Sequence, residues 1–375
     1  MQLVERPIAH GEVLNAPNDT RLMLVESATR LFNDHVDPAM LDAAKHAAWS
    51  ENLWQALERA ELPRVSIPEE MGGAGGTLSD LAAVLRVAGR FSAPVPLAET
   101  AMLAGWMLAA SGLPVPRGAL AAGPVRDDAV RVCRDGGRWI VSGTLARVPW
   151  ARMAKRLVLL AEGEGGGAVV SVDPARCEIR PGHNLALEPR DDVILRNVVA
   201  EDAAPSGEGV TRAAFKLRGA LARSLLMAGA LERALELSVR YARERVQFGR
   251  KIGQFQAIQQ EIARFAGEVA AAVAAALSAA GAVDRQPAAA SGGDVTLAVA
   301  AAKIRTAEAA REGALIAHQV HGAIGVTDEY ALHHSTLRLW AWREEFGNEA
   351  EWAAALGGLT HKRGANQLWA TLTAS

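Results

Sequence analysis

Between residues 118 and 200 the chain changes its period. The short runs AVRVC, RWIVSG, RLVLLAE, GAVVSVD and DVILRNVVA are β-branched and punctuated by Gly, Pro and Asp. Runs of this kind at intervals of about ten residues predict a small antiparallel barrel or sandwich rather than βαβ units. The DGG between two of them is a hairpin signal.

Both flanks read as helix. Leu22, Leu24, Ala28, Leu31 and Phe32 fall at helical spacing, as do Leu53, Leu57 and Ala60. A Gly-rich loop, VSIPEEMGGAGGTLSD, then ends at Thr77, Ser79 or Asp80, any of which can cap a helix carrying Leu81 to Val87. A further apolar helix is expected over 98–111. Beyond the β region, Thr211 is placed to cap a long helix through Tyr241. A second helix follows over 253–282, then a DRQPAAASGGD loop, and then a third helix from Asp294 to His321. Abundant Ala and few aromatics suit helices whose axes approach closely. The expected fold is mainly α with a central β domain: 1–117 helical, 118–208 β, and 209–375 a helical bundle.

Composition excludes several function classes. With 40 basic and 42 acidic residues spread throughout, there is no field for a polyanion, so nucleic acid is not an expected partner. Cys133 and Cys177 have neither disulfide-framework nor zinc-site spacing. The opening MQLVERPIAHGEV lacks the pattern of a signal peptide, and a cytoplasmic location is expected. FAGEVAAAVAAALSAAG, residues 265–281, is long and apolar but is interrupted by Glu268. It reads as a buried bundle helix, and no membrane partner is expected.

One segment resists this simple reading. RERVQFGRKIGQFQAIQQ, residues 243–260, sets Phe248-Gly249 and Phe255-Gln256 into an otherwise helical stretch. Together with LWQALERAELPRVSIPEEMGGAGGTLSD, PVPLAET and HQVHGAIGVTDEYALHH, it resembles the acyl-CoA dehydrogenases, flavoproteins that desaturate acyl-CoA thioesters. The resemblance covers nearly the whole chain. It implies an N-terminal helical domain, a middle β-barrel and a C-terminal four-helix bundle, with FAD as cofactor, acyl-CoA as substrate and an electron-transfer flavoprotein as acceptor.

By the same resemblance, Arg245, Gln247, Phe248 and Gln256 contact the FAD of a neighbouring subunit. So does the stretch Gln319, Val320, His321, Gly322 and Ala323, in which Ala323 stands where the family has a second Gly. The chain is therefore expected to assemble, as a homotetrameric dimer of dimers or as a heteromer with a sister subunit. Glu69-Glu70 falls in a structural loop of the family.

The reaction needs a carboxylate of raised pKa to remove the α proton. In the family this is a Glu before a Gly; counting from Gln319 reaches Phe346-Gly347, one residue past Glu345. Glu345 is therefore the candidate base. A second family position for the base corresponds to about Gly219 and is also without a carboxylate. The middle-domain flavin motifs are altered, and Trp150 is either a displaced flavin-covering tryptophan or a core aromatic. The histidine pairs His318/His321 and His333/His334 lack the ligand pattern of a metal site, so none is expected. Three functions remain open: an FAD-dependent acyl-CoA dehydrogenase using Glu345, a non-catalytic partner subunit of a heteromeric dehydrogenase, or a flavin oxidase or monooxygenase on the same fold.

Overall fold

A computed structural model of the chain describes residues 17–126, 128–286, 293–367 and 369. The N-terminal stretch up to residue 16 and most of the DRQPAAASGGD loop lie outside the described residues.

The first region is helical. Helices α1 (Pro17–His35), α2 (Pro38–Lys45) and α3 (Glu51–Arg59) lead through the Gly-rich loop to α4 (Leu78–Arg90). Of the three candidate caps it is Thr77 that starts α4: it accepts from the Asp80 amide while Asp80 reaches back to the Thr77 amide, a reciprocal capping box. The expected helix over 98–111 is wound differently along its length, with a π-helical Glu99–Gly105 running into α5 (Trp106–Ala110).

Strand replaces helix next, in β1 (Leu120–Gly123), β2 (Val130–Asp135), β3 (Arg138–Pro149), β4 (Arg156–Gly163), β5 (Gly166–Val172), β6 (Glu178–Arg180), β7 (Arg190–Val199) and β8 (Asp202–Pro205). They form one eight-stranded sheet in the order β6-β7-β3-β2-β4-β5-β8, with β1 beside β4. Gly136-Gly137 make the β2–β3 hairpin turn, as the DGG signal implies. The pairing is mixed rather than wholly antiparallel, because β1 runs parallel to β4, and β2 touches β4 in the same sense. One face of the sheet carries its own core, including Val130, Val141, Leu157, Val170 and Val193.

The third region begins at α6 (Arg212–Glu244), capped by Thr211. A minimal hairpin, β9 (Val246–Gln247) and β10 (Arg250–Lys251), separates it from α7 (Gln256–Arg285). Then come α8 (Gly293–His321), α9 (Leu332–Arg343) and α10 (Glu349–Arg363). A single apolar core joins these helices to the N-terminal ones through residues such as Leu85, Leu225 and Phe265.

The apolar helix of residues 265–281 is only half buried, contrary to expectation. In α7, Phe265, Val269, Ala272 and Ala276 face the bundle, whereas Ala266, Ala270, Ala274 and Leu277 are exposed. Its residues are small on every side, so composition did not reveal which side would be covered.

Candidate functional site

A cleft of about 1020 Å³ opens between the sheet and the C-terminal helices. Its walls are the 124–126, 147–149 and 184–190 segments on one side, and the first turn of α6 with residues 340–351 on the other. Glu345 and Phe346 are among the residues that line it.

Both oxygens of Glu345 are already engaged. Arg190 donates from Nε to Oε1 at 2.7 Å and from Nη2 to Oε2 at 3.1 Å. Arg223 Nε donates to Oε2 at 2.6 Å, and Asn184 Nδ2 donates to Oε1 at 3.2 Å. The arrangement continues in both directions. Arg223 reaches Glu99 at 2.5 Å, and Arg190 also reaches Glu188, which accepts from Arg338 Nε and Trp342 Nε1. The result is a buried chain of alternating charge, Glu99–Arg223–Glu345–Arg190–Glu188–Arg338. Burial alone would raise the pKa of Glu345, but the two guanidinium groups outweigh it and hold it at about 2.

Behind this chain, toward Ala88, Val95, Leu97 and Trp150, the remaining gap is about 10 Å³. A single water needs roughly 10–15 Å³. Trp150 is 5 % exposed and borders that gap.

Phe346 is turned inward with a left-handed backbone, φ 56°. Its ring packs on Phe215 with centroids 6.0 Å apart and lies against Gly219. A Cβ on Gly219 would come within 2.1 Å of the Phe346 ring, so these two positions, which counting from the resemblance reaches when looking for a base, are pressed together, glycine under phenyl. Lys303, fully buried in α8, braces this turn from behind by donating Nζ hydrogen bonds to the carbonyl oxygens of Trp342 (3.0 Å) and Arg343 (2.8 Å). Burial pushes its pKa down to about 7.

The other candidate residues gather at the far end of α6. Arg245 caps that helix, and the β9–β10 hairpin folds so that Phe248 and Gly249 both take positive φ, 52° and 76°. This two-residue turn is what the Phe-Gly pair does, because glycine accepts the second left-handed position without strain. Phe248 stands at its tip, 93 % exposed, with Arg245, Gln247 and Gln256 also exposed. Phe255 packs edge-on to it at 6.2 Å and lies under the Arg250 guanidinium.

The 319–323 stretch meets the same end, since His321 stacks on Tyr241 at 4.7 Å. Gln319, Gly322 and Ala323 are exposed, whereas Val320 and His321 are buried, with the His321 Nδ1–H donating to Ala317 O. Val320 and His321 thus offer no exposed side chain at this surface.

From Arg223, which holds Glu345, to Arg245 is 22 residues of α6, or ~33 Å at the helical rise. The candidate base and the candidate cofactor contacts of one chain therefore do not form one site. Of the residues that sequence reasoning missed, Glu99, Arg223 and Lys303 share one signal, a charged side chain in an otherwise apolar run, as in LARSLLMAGAL and AVAAAKIRTA, whereas Glu188 and Arg190, in LEPRDD, carry none.

Comparison with known proteins fits this architecture. The acyl-CoA dehydrogenase N-terminal domain matches residues 18–115, and the acyl-CoA dehydrogenase C-terminal domain matches residues 207–348. Acyl-CoA dehydrogenase IpdE2 of Mycobacterium tuberculosis is 32% identical over 327 residues, covering 84% of this chain and 90% of that protein. Among solved structures, a variant of the Tcur3481-Tcur3483 steroid ACAD superposes with a TM-score of 0.81 at 25% identity, covering 92% of this chain and 99% of the other. The ChsE4-ChsE5 complex of M. tuberculosis has the same fold, with a TM-score of 0.82 at 23% identity over 93% and 98% of the two chains. The chain belongs to the acyl-CoA dehydrogenase family of enzymes.

Proposed function

We propose that this chain is the partner subunit of a heteromeric, FAD-dependent acyl-CoA dehydrogenase. It lends its α6 end to a flavin whose reacting ring sits beside the catalytic carboxylate of a sister chain. The observation that carries this reading is the state of the chain's own base positions. Phe346 fills the space over Gly219, and Glu345 is locked between Arg190 and Arg223 with a pKa of about 2. A general base for this reaction needs a raised pKa and an open face toward the substrate. Glu345 lines the cleft, but its pKa is lowered and both its oxygens are held by arginines, so its role here is that of an anchor for two buried arginines rather than a proton acceptor.

The α6 end suits the cofactor. Arg245 offers a planar charged fork for a pyrophosphate, with Arg250 and Lys251 adding positive charge at the same surface. Phe248 gives an exposed ring for the adenosine portion, and Gln247, Gln256 and Gln319 give amides. The exposed Gly322 backbone allows close approach of phosphate oxygens. Bound FAD supplies hydride acceptance, with an electron-transfer flavoprotein as the onward acceptor. This chain supplies binding and orientation.

A two-chain assembly and a bulky acyl group both find support in one relative, since Tcur3481-Tcur3483 carries the names of two chains and is described as a steroid ACAD. A homotetramer using Glu345 would require that carboxylate to leave both arginines before it could take a proton.

The test is to purify the chain alone, incubate it with FAD, desalt it and record the visible spectrum. A colourless folded protein is expected. Stoichiometric flavin that a steroid or branched acyl-CoA bleaches anaerobically would show an independent dehydrogenase and reject the partner-subunit reading.

A further inference from the structure

Close to the far end of α6, where Tyr330 packs on Tyr241, the structure brings residues of α2 against the turn before α9 and its first turn. Asp42 and Lys45 come from α2, Asp328 from the turn before α9, and His333 and His334 from the first turn of α9. The ligand atoms of Asp42, His333 and His334 all lie within 4.8 Å of one another. His333 Nε2 is 3.7 Å from Asp328 Oδ1, and His334 Nε2 is 3.9 Å from Asp42 Oδ1. The two imidazoles lean together, with centroids 3.9 Å apart, so adjacent residues present their rings to the same side.

Two features show that the group is organised around a positive charge. The Lys45 ammonium sits among its members, 2.8 Å from Asp42 Oδ1, 3.0 Å from Asp328 Oδ1 and 3.0 Å from His333 Nε2. The tautomer of His333 is fixed as well: its Nδ1–H donates to Tyr330 O at 2.8 Å, which leaves the Nε2 lone pair facing the ammonium. A ring nitrogen held to a backbone carbonyl so that the other can ligate is the usual outer arrangement of a metal-bound histidine. No spacing in the sequence hints at it, because the carboxylates stand on a helix nearly three hundred residues from the histidines and on an intervening turn.

We infer that Asp42, Asp328, His333 and His334 form a site for a divalent transition-metal ion of the zinc class, which the ion enters by displacing the Lys45 side chain. Four-coordinate zinc with nitrogen and oxygen ligands at ~2.0–2.2 Å sets its ligand atoms ~3.3 Å apart. The His333–Asp328 and His334–Asp42 separations of 3.7 and 3.9 Å need a contraction of about half an ångström, and the other separations among Asp42, His333 and His334, up to 4.8 Å, need up to about one and a half, through rotation of the half-exposed Asp42 and exposed Asp328 side chains. The Lys45 stem is long and flexible, and its head can swing toward solvent while its aliphatic part stays packed. A bound ion would tie the N-terminal helices to the turn that follows the 319–323 stretch, so it would fasten the flavin-facing end of the chain without taking part in chemistry. The inference stands independently of the partner-subunit reading.

The experiment uses the full-length chain with any affinity tag removed, stripped with chelator and titrated with cobalt(II) and zinc. The expected result is a visible cobalt spectrum of four-coordinate nitrogen and oxygen type at one equivalent, abolished by zinc, with zinc raising the melting temperature. His334→Ala should lose the spectrum and the zinc-induced rise in melting temperature, while its circular dichroism stays that of the parent. Lys45→Met should bind more tightly than the parent. Binding in Lys45→Met but not in the parent would overturn the inference and leave Lys45 as the resident cation of the cluster. So would a spectrum that survives in His334→Ala, or one with the intense near-ultraviolet bands of cysteine ligation.

Discussion

Glu345→Gln separates anchoring from catalysis. The substitution keeps the shape of the side chain and removes its charge. Two guanidinium groups with side chains 2 % and 1 % exposed then face each other without the carboxylate that Arg190 and Arg223 now share. Removing one partner from a buried ion pair costs ~3–5 kcal/mol when the remaining charge is left uncompensated; Glu99 and Glu188 still hold Arg223 and Arg190, which puts this case at the lower end. The titration of Glu345 gives a similar figure: lowering its pKa from 4.5 to about 2 corresponds to ~3 kcal/mol. Because the folded pKa is depressed, this stabilisation is full above pH 4.5 and is lost as the pH falls toward 2. Against a typical total of ~5–15 kcal/mol, the variant should unfold at a much lower urea concentration, as followed by circular dichroism at pH 7. Glu344→Gln, at a side chain 60 % exposed, should stay within ~0.5 kcal/mol of the parent. The opposite pattern would refute the reasoning. If Glu345→Gln were as stable as the parent while flavin reduction in the assembled enzyme slowed by ~10²–10⁴-fold, Glu345 would be a general base after all.

Arg245→Ala should leave the melting temperature unchanged, since the side chain is exposed, yet weaken flavin retention by the assembled enzyme roughly ten- to a hundredfold; equal flavin content after dialysis would remove Arg245 from the cofactor site. Lys303 has a folded pKa of about 7 against 10.5 unfolded, so between those values the unfolded state binds the extra proton and stability should rise with pH. Urea midpoints at pH 6.5, 8 and 9.5 should show that rise in the parent and lose it in Lys303→Met. Gly219→Ala would drive a methyl group into the Phe346 ring and should cost ~1–3 kcal/mol, a penalty that Phe346→Ala in the same chain should largely relieve; strict additivity of the two changes would mean that the ring does not occupy that space.

The order of helix, strand and helix was legible because each period is written locally. The Thr77 and Thr211 caps, the Gly136-Gly137 hairpin and the interruption at Phe248-Gly249 are all decided within a few residues of chain. The chemistry around Glu345 was not legible, because it depends on pairing across distance. Arg190 and Glu345 are 155 positions apart, and no spacing rule connects them. The family resemblance draws attention to the one-residue offset between Glu345 and Phe346, but only the fold shows what the offset does: it sends the phenyl ring inward over Gly219 and the carboxylate sideways into the arginines. The winding of residues 99–105 as a π-helix was equally hidden, although Glu99 projects from that segment into the ion-pair chain.

The two ends of α6 differ in a way that bears on assembly. If every subunit were this chain, each α6 end would reach a neighbour whose cleft floor is closed by Phe346 and by the alternating charges from Glu99 to Arg338. Each bound flavin would then lie beside a site whose Glu345 is paired with two arginines and whose gap behind the ion-pair chain is about 10 Å³. The exposed Phe248 hairpin and the Arg245 cluster would serve no reaction in such a homomer. Placed against a sister chain that has a carboxylate at the position of Phe346 and an open cavity, the same hairpin completes a productive site. The reciprocal cleft, in this chain, keeps Phe346 over Gly219 and Glu345 between its arginines. A heteromer built this way should carry one catalytically reducible flavin for each pair of unlike chains, whereas an active homomer would carry one for every chain. Titrating the purified assembly anaerobically with acyl-CoA, and dividing the bleached flavin by the moles of each polypeptide, distinguishes the two. A ratio near one per chain would mean that Glu345 leaves its arginines during turnover, and that the ion-pair chain holding it is only one of its states.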